Sequence, residues 1–185
     1  MQRIPYPDPA SLPEDIRQRL EGSPPNVSRM LPGLSPGVYR GFTAFSAGLF
    51  SGSDLSPQLR EIAILRVGYL SNASYEVFQH EAYARHVGLS GAQIDAIKAG
   101  GDKAALLGPA GAAVLAFTDD LVLNVRPSDA TLSGVRAHLA DNLVLDLVVV
   151  IGAYMTVSRF LETTGIEHDD QPIDWAAREA TAAPK

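Results

Sequence analysis

Helix start and stop signals recur along this chain from Gly37 to Gly165, and no segment alternates apolar and polar residues in the two-residue period of a strand. That combination confines the chain to an all-α helical bundle. Val38, Phe42, Phe45 and Leu49 recur at helical spacing, and SGSDLSP then breaks the chain. Ser56 with Pro57 reads as a cap followed by proline in the first turn, opening a helix from Pro57 to about Leu70. SNAS is a turn, a second helix runs from about Tyr75 to His86, and Gly88 stops it. Ser90 with Gln93 opens a third that ends near Gly100 and Gly101. Pro109 opens a helix through Val125, stopped by Pro127. Ser128 caps one that reaches about Ala140, and the last runs from about Asn142 to Thr164 with Gly165 as its stop.

The two ends are different in kind. Residues 1–36 carry eight prolines, and proline removes a donor and fixes φ, so this arm is no continuous helix. A short helix from Ser11 to about Leu20 fits within it, with Ser11 and Glu14 at capping-box spacing. The arm is expected to pack on a neighbouring surface, its own or another subunit's. Residues 37–166 form the helical domain, and 167–185 a polar, extended tail with Trp175 as its anchor. The longest apolar stretch, Leu143–Val157, is interrupted by Asp146 and reads as a buried helix rather than a span. The first residues show no secretory h-region, so a cytoplasmic location is expected, with no membrane partner. A net charge of -6 and scattered basic residues argue against nucleic acid. The chain has no cysteine, which removes thiolate nucleophiles, disulfides and Cys-ligated zinc together.

The informative segment is 57–80. Glu61 and Arg66 stand in an otherwise apolar helix, where a charge is costly unless it is paired or serves a site. They are read either as a buried ion pair or as site residues. Glu76, Gln79, His80 and Tyr83 fall at i, i+3, i+4 and i+7 and share one helix face. A carboxylate one turn from an imidazole orients the ring and raises its basicity, which is what general acid–base chemistry needs. The same spacing also describes an exposed pair on a solvated face. Tyr69 and Tyr83 are pocket-lining candidates or ordinary amphipathic packing. Arg85, His86, His138 and His168 read as surface or helix-end residues, and Arg159 as a partner for Glu162 or for an acid across an interface.

This run resembles the carboxymuconolactone decarboxylase family, which includes alkyl hydroperoxide reductase D-type proteins. In the thiol-bearing branch a Glu on one helix precedes a Cys-x-x-Cys with a His four residues beyond it. Here Glu61 matches the Glu, Ala73 and Glu76 stand at the two Cys positions, and His80 matches the His. The decarboxylase-like branch reads Tyr-Glu-x-x-x-His, as does Tyr75-Glu76-Val-Phe-Gln-His80. The likeness runs from about Ser56 to Gly100 and returns in the last helix. It implies an alkyl hydroperoxide reductase D-like fold and a homo-oligomer: dimer, trimer or hexamer. It also implies a cofactor-free lyase, a decarboxylase of a small organic carboxylate or lactone such as an aromatic-catabolism intermediate. In that reading Glu61, Glu76 and His80 are catalytic, Arg66 (or Arg85) holds the substrate carboxylate, and Tyr69 and Tyr83 line the pocket. Two alternatives stand beside it: a metal-dependent enzyme using Glu61, Glu76 and His80 for iron, manganese or zinc, and a non-enzymatic oligomeric binding protein. Thiol peroxidase cycling needs two sulfurs and is disfavoured.

Overall fold

The computed structural model describes residues 2–22 and 24–176. Among these residues there is no strand, and the helices are α1 (Glu14–Arg17), α2 (Asn26–Met30), α3 (Pro36–Ser51), α4 (Pro57–Leu70), α5 (Ser74–His86), α6 (Gly91–Ala99), α7 (Gly108–Asn124), α8 (Asp129–Arg136) and α9 (Asp141–Thr164). Short 3₁₀ turns link several of them, including one over Gly101–Leu107 that carries no start or stop signal in the sequence.

The bundle is built round α4. Every residue from Arg60 to Gly68 is buried, and α5, α6, α7 and α9 all pack against it. Apart from Arg60, Glu61 and Arg66, themselves buried, this stretch is apolar and offers no solvent face, so it takes the centre. α9 does otherwise: Leu147, Ile151 and Tyr154 are buried, while Leu145, Val148 and Val149 stand exposed on the other side. The buried helix expected is therefore buried on one side only. At 24 residues it is also long and apolar enough to cross a membrane by length and composition, as is the stretch Gly101–Asn124.

Local chemistry explains most helix ends. The capping box of Ser90 and Gln93 forms on α6, Ser128 accepts from Thr131 N on α8, and Gly165 takes the left-handed conformation after α9. In the SNAS turn Asn72 adopts φ 51°, a conformation that Asn tolerates better than most residues. Two expected caps are absent. Ser56 makes no side-chain cap bond, so Pro57 alone pre-sets the start of α4. Ser11 and Glu14 form no capping box: Asp8 caps the turn at Pro9–Ser11, and α1 begins after Pro13. α8 also stops at Arg136, whose guanidinium clasps Asp141 at 2.7 Å, rather than running to Ala140.

Both ends fold back on the bundle. Backbone N–H groups of Arg3 and Ile4 donate to Thr164 O at 2.8 and 3.1 Å, and Ile16 and Met30 are buried. Met30 joins Tyr75, Leu161 and Ile166 in a second apolar cluster, so the arm packs on its own chain. The tail passes beside it as far as Trp175; its last stretch, 177–185, lies outside the described residues.

Candidate active site

α4 and α5 come close because Gly68 has no side chain. A Cβ there would sit 3.1 Å from Val77 Cγ2 and 3.6 Å from Glu76 Cγ. The close crossing lets Glu61 of α4 meet the Glu76–His80 face of α5. His80 Nδ1 and Glu61 Oε2 are 2.7 Å apart, a charge-assisted hydrogen bond, and His80 Nε2 lies 3.1 Å from Glu76 Oε1. The three side chains are buried, Glu61 fully, Glu76 at 4% and His80 at 7% exposure.

The two carboxylates hold the ring differently. Glu61 fixes Nδ1 with good geometry, whereas Glu76 Oε1 lies close to Nε2 but makes no hydrogen bond, and Glu61 Oε1 has none either. A loosely aligned contact of this kind is what an acid–base site shows before a substrate enters it. Burial pushes the Glu76 carboxyl up to about 7, opposed by His80 and reinforced by the charge of Glu61. Burial works against the His80 imidazolium, but Glu61 and then Glu76 outweigh it and hold its pKa above the ordinary value. Arg60 supplies a second buried cation nearby: its guanidinium lies 4.5 Å above the Phe50 ring and donates to Leu49 O at 3.3 Å.

The array opens on a cavity of about 320 Å³, whose lining includes Glu76, Gln79 and His80 on one side and Phe42, Phe50 and Val157 on another. Aromatic rings surround the imidazole. Tyr154 stands 5.0 Å from it at 88°, Tyr83 at 6.4 Å and Trp175 at 6.3 Å. Burial, then the charges of Glu76 and Glu61, raise the Tyr154 pKa well above its ordinary value, so its phenol stays protonated. No lysine or arginine lines this cavity among the described residues.

Of the residues singled out from the sequence, Glu61, Glu76, His80 and Tyr83 come together, and Arg66 and Tyr69 do not. Arg66 is not the partner of Glu61. It clasps Asp119 through Nε at 2.5 Å and Nη2 at 3.1 Å, and its Nη1 donates to the carbonyls of Ile97 and Lys98. Its whole fork is committed to joining α4, α6 and α7, which leaves it unsuited to a substrate carboxylate. Tyr69 donates to Glu81 at 2.8 Å, outside the cavity. Arg85 is exposed and pairs with Glu81, and His86 stacks against Tyr83. His168, expected to be solvated, is exposed yet stacks on Phe78 at 4.7 Å. For Arg159 the structure gives a bond to Met155 O at 2.6 Å. Among the described residues no group of three or more His, Asp or Glu side chains is arranged to hold a metal ion; carboxylates face both ring nitrogens of His80. Sequence reasoning missed Arg60, Tyr154 and the cavity role of Gln79. The first two leave a signal, a charge or a hydroxyl inside an apolar helix, but nothing in the sequence says which way they point.

Comparison with known proteins gives a consistent picture. No curated protein matches the chain. Several solved structures share the fold, three of them as follows. An uncharacterized peroxidase-related protein from Ralstonia eutropha JMP134, with an alkylhydroperoxidase AhpD core, is 24% identical over 91% of this chain and 93% of its own, with a TM-score of 0.77. A peroxidase-related protein from Silicibacter sp. TM1040 is 20% identical over 90% of each chain, with a TM-score of 0.69. An AhpD-type protein of unknown function from Agrobacterium tumefaciens is 22% identical over 74% of this chain and 94% of its own, with a TM-score of 0.66. At these identities the likeness is one of fold. The sequence model of the carboxymuconolactone decarboxylase family matches residues 36–120, the stretch from α3 into α7 that carries Glu61, Glu76 and His80. Through that segment, with alanine and glutamate where the thiol-bearing branch has its two cysteines, the chain is similar to the carboxymuconolactone decarboxylase family.

Proposed function

We propose that this protein is a cofactor-free acid–base lyase that decarboxylates a small, largely apolar organic acid or lactone acid. The observation that carries the reading is the buried Glu61–His80–Glu76 array at the wall of an apolar cavity. A carboxylate held against apolar walls loses hydration, and decarboxylation disperses its charge. Breaking the C–C bond releases CO2 and leaves the electron pair on the adjacent carbon, delocalised into a neighbouring carbonyl of the substrate. The Nε2 proton of the His80 imidazolium goes to that carbon. Glu76, with its pKa near 7, returns a proton to the ring and is recharged from solvent. Glu61 fixes the ring through Nδ1, and the protonated Tyr154 is the nearest phenol to donate to the enolate oxygen. The balance is R–COO⁻ + H⁺ → R–H + CO2. Thiol peroxidase chemistry has no thiol here to run on, so N-ethylmaleimide should leave turnover unchanged.

The test is CO2 release from a panel of aryl β-keto acids and lactone acids. His80→Ala should lower turnover by about 10²–10⁴, the usual loss for a general acid–base group. Near-wild-type turnover in that variant would remove His80 from the mechanism. Absence of CO2 from every panel member that binds the cavity would replace the lyase with a binding protein.

A further inference from the structure

The tail segment 166–176 is pinned across the same face of α5 that carries Glu76 and His80. Asp169 is the pin. Its carboxylate accepts from Tyr75 Oη at 2.6 Å, Gln79 Nε2 at 2.7 Å and the backbone N–H of Asn26 at 2.8 Å. Gln79 is used at both ends, since its Oε1 accepts from Ile173 N at 2.9 Å. Asn26 closes the clasp from the arm by donating to Glu167 O at 3.1 Å. Tyr75 and Gln79 immediately precede Glu76 and His80, so the residues that grip the tail and those that form the array alternate along two turns of one helix. The gripped segment then delivers Ile173 and Trp175 into the cavity wall, Trp175 lying 4.6 Å from the Tyr83 ring.

From this geometry we infer that residues 166–176 are a strap, latched by Asp169 through Tyr75 and Gln79, whose Ile173 and Trp175 complete the substrate cavity and select flat, one- or two-ring apolar substrates. The selection rests on the reading of this cavity as the reaction site; the latch does not. A cavity of about 320 Å³ is at the small end for ligand pockets; Tyr83, Tyr154 and Trp175 contact the His80 ring, Phe50 joins Tyr83 to Tyr154, and Trp175 packs on Tyr83. With no lysine or arginine in the lining, shape and ring stacking select among ligands away from the Glu76, Gln79 and His80 wall.

Trp175 is the single tryptophan of the chain, so intrinsic fluorescence reports the strap directly. In the full-length protein Asp169→Ala should shift the Trp175 emission to longer wavelength and raise acrylamide quenching, with the far-UV circular dichroism unchanged. Calorimetric titration with coumarin, a neutral two-ring lactone, should show binding to the wild type. That binding should weaken about five- to ten-fold in Asp169→Ala and in Trp175→Ala, the loss expected for one aromatic wall. γ-Butyrolactone, with one small aliphatic ring, should bind far more weakly and alike to all three. If Asp169→Ala does not fold, Gln79→Leu asks the same question by cutting two latch bonds at similar volume. Emission and quenching unchanged in the folded variant would overturn the latch, and coumarin binding unchanged in Trp175→Ala would overturn the selection. Neither readout involves turnover. A chain that binds coumarin through the strap but releases no CO2 leaves the strap standing and removes the lyase.

Discussion

Glu76 and Glu61 flank one imidazole, and the difference between them is measurable. Glu61 is the largest upward influence on His80, opposing burial, so Glu61→Gln should lower the NMR titration midpoint of His80. A midpoint that stays where it is would mean that Glu61 does not hold the ring. For Glu76 the sign follows from proton linkage. Its folded pKa of about 7 exceeds its ordinary 4.5, so the folded state binds the proton more tightly and stability falls as pH rises between those values. His80, also raised, adds to the fall from its ordinary 6.5 upward. Glu76→Gln removes the first part: the variant should match the wild type near pH 4.5 and exceed it at pH 8 by up to about 3 kcal/mol in urea denaturation. A variant less stable at pH 8 would contradict a buried, destabilised carboxylate. The Glu76–His80 spacing is legible from sequence because one helical turn fixes it. Glu61 joined that pair in the sequence only through the family resemblance, because its distance from His80 depends on how tightly α4 and α5 cross, where Gly68 has no side chain.

Helix boundaries were readable wherever proline, glycine or a hydroxyl cap enforces them, as at Pro57, Ser90, Ser128 and Gly165. They were not readable where tertiary contact decides, as in the 3₁₀ turn Gly101–Leu107 or the early stop of α8. The same limit hid the partner of Arg66, which lies 53 residues away on α7. This ion pair is an inter-helix tie. Gly100 is shaped around it, since a Cβ there would fall 2.6 Å from Arg66 Nη2. Asp119→Ala should therefore destabilise the chain by about 2–4 kcal/mol, discounted from the full cost of breaking a buried pair because the Asp119 side chain is 27% exposed. Catalysis per folded molecule should hold, since Asp119 lies away from the cavity lining. A loss below about 0.5 kcal/mol in urea denaturation would show that solvent already screens the pair.

At the scale of the whole molecule, the fold leaves apolar surface uncovered in ordered stripes. On α9, Leu145 is 66%, Val148 39% and Val149 41% exposed, followed along the same face by exposed Gly152 and Thr156. On α3, Val38 and Phe45 are exposed at 56% and 44%, and Gly41 and Gly48 have nothing near the position of a Cβ. Small residues in such stripes let a second helix approach closely, and no charged side chain interrupts the α9 stripe from Leu145 to Thr156. Val38 and Thr156 also line the cavity, so a copy of the chain seated on these faces would border the cavity mouth. A net charge of -6 opposes indiscriminate clumping, and homo-oligomers are mostly closed and symmetric, with equivalent faces meeting. Light scattering at micromolar concentration is expected to give a small integral multiple of 19.7 kDa. Leu145→Asp together with Val149→Asp should return the mass to that of one chain while far-UV circular dichroism stays unchanged, because neither residue is buried within the chain. A wild-type protein that remains at one chain's mass would leave these faces without a second copy to cover them, and association with lipid vesicles would then be the competing outcome to measure.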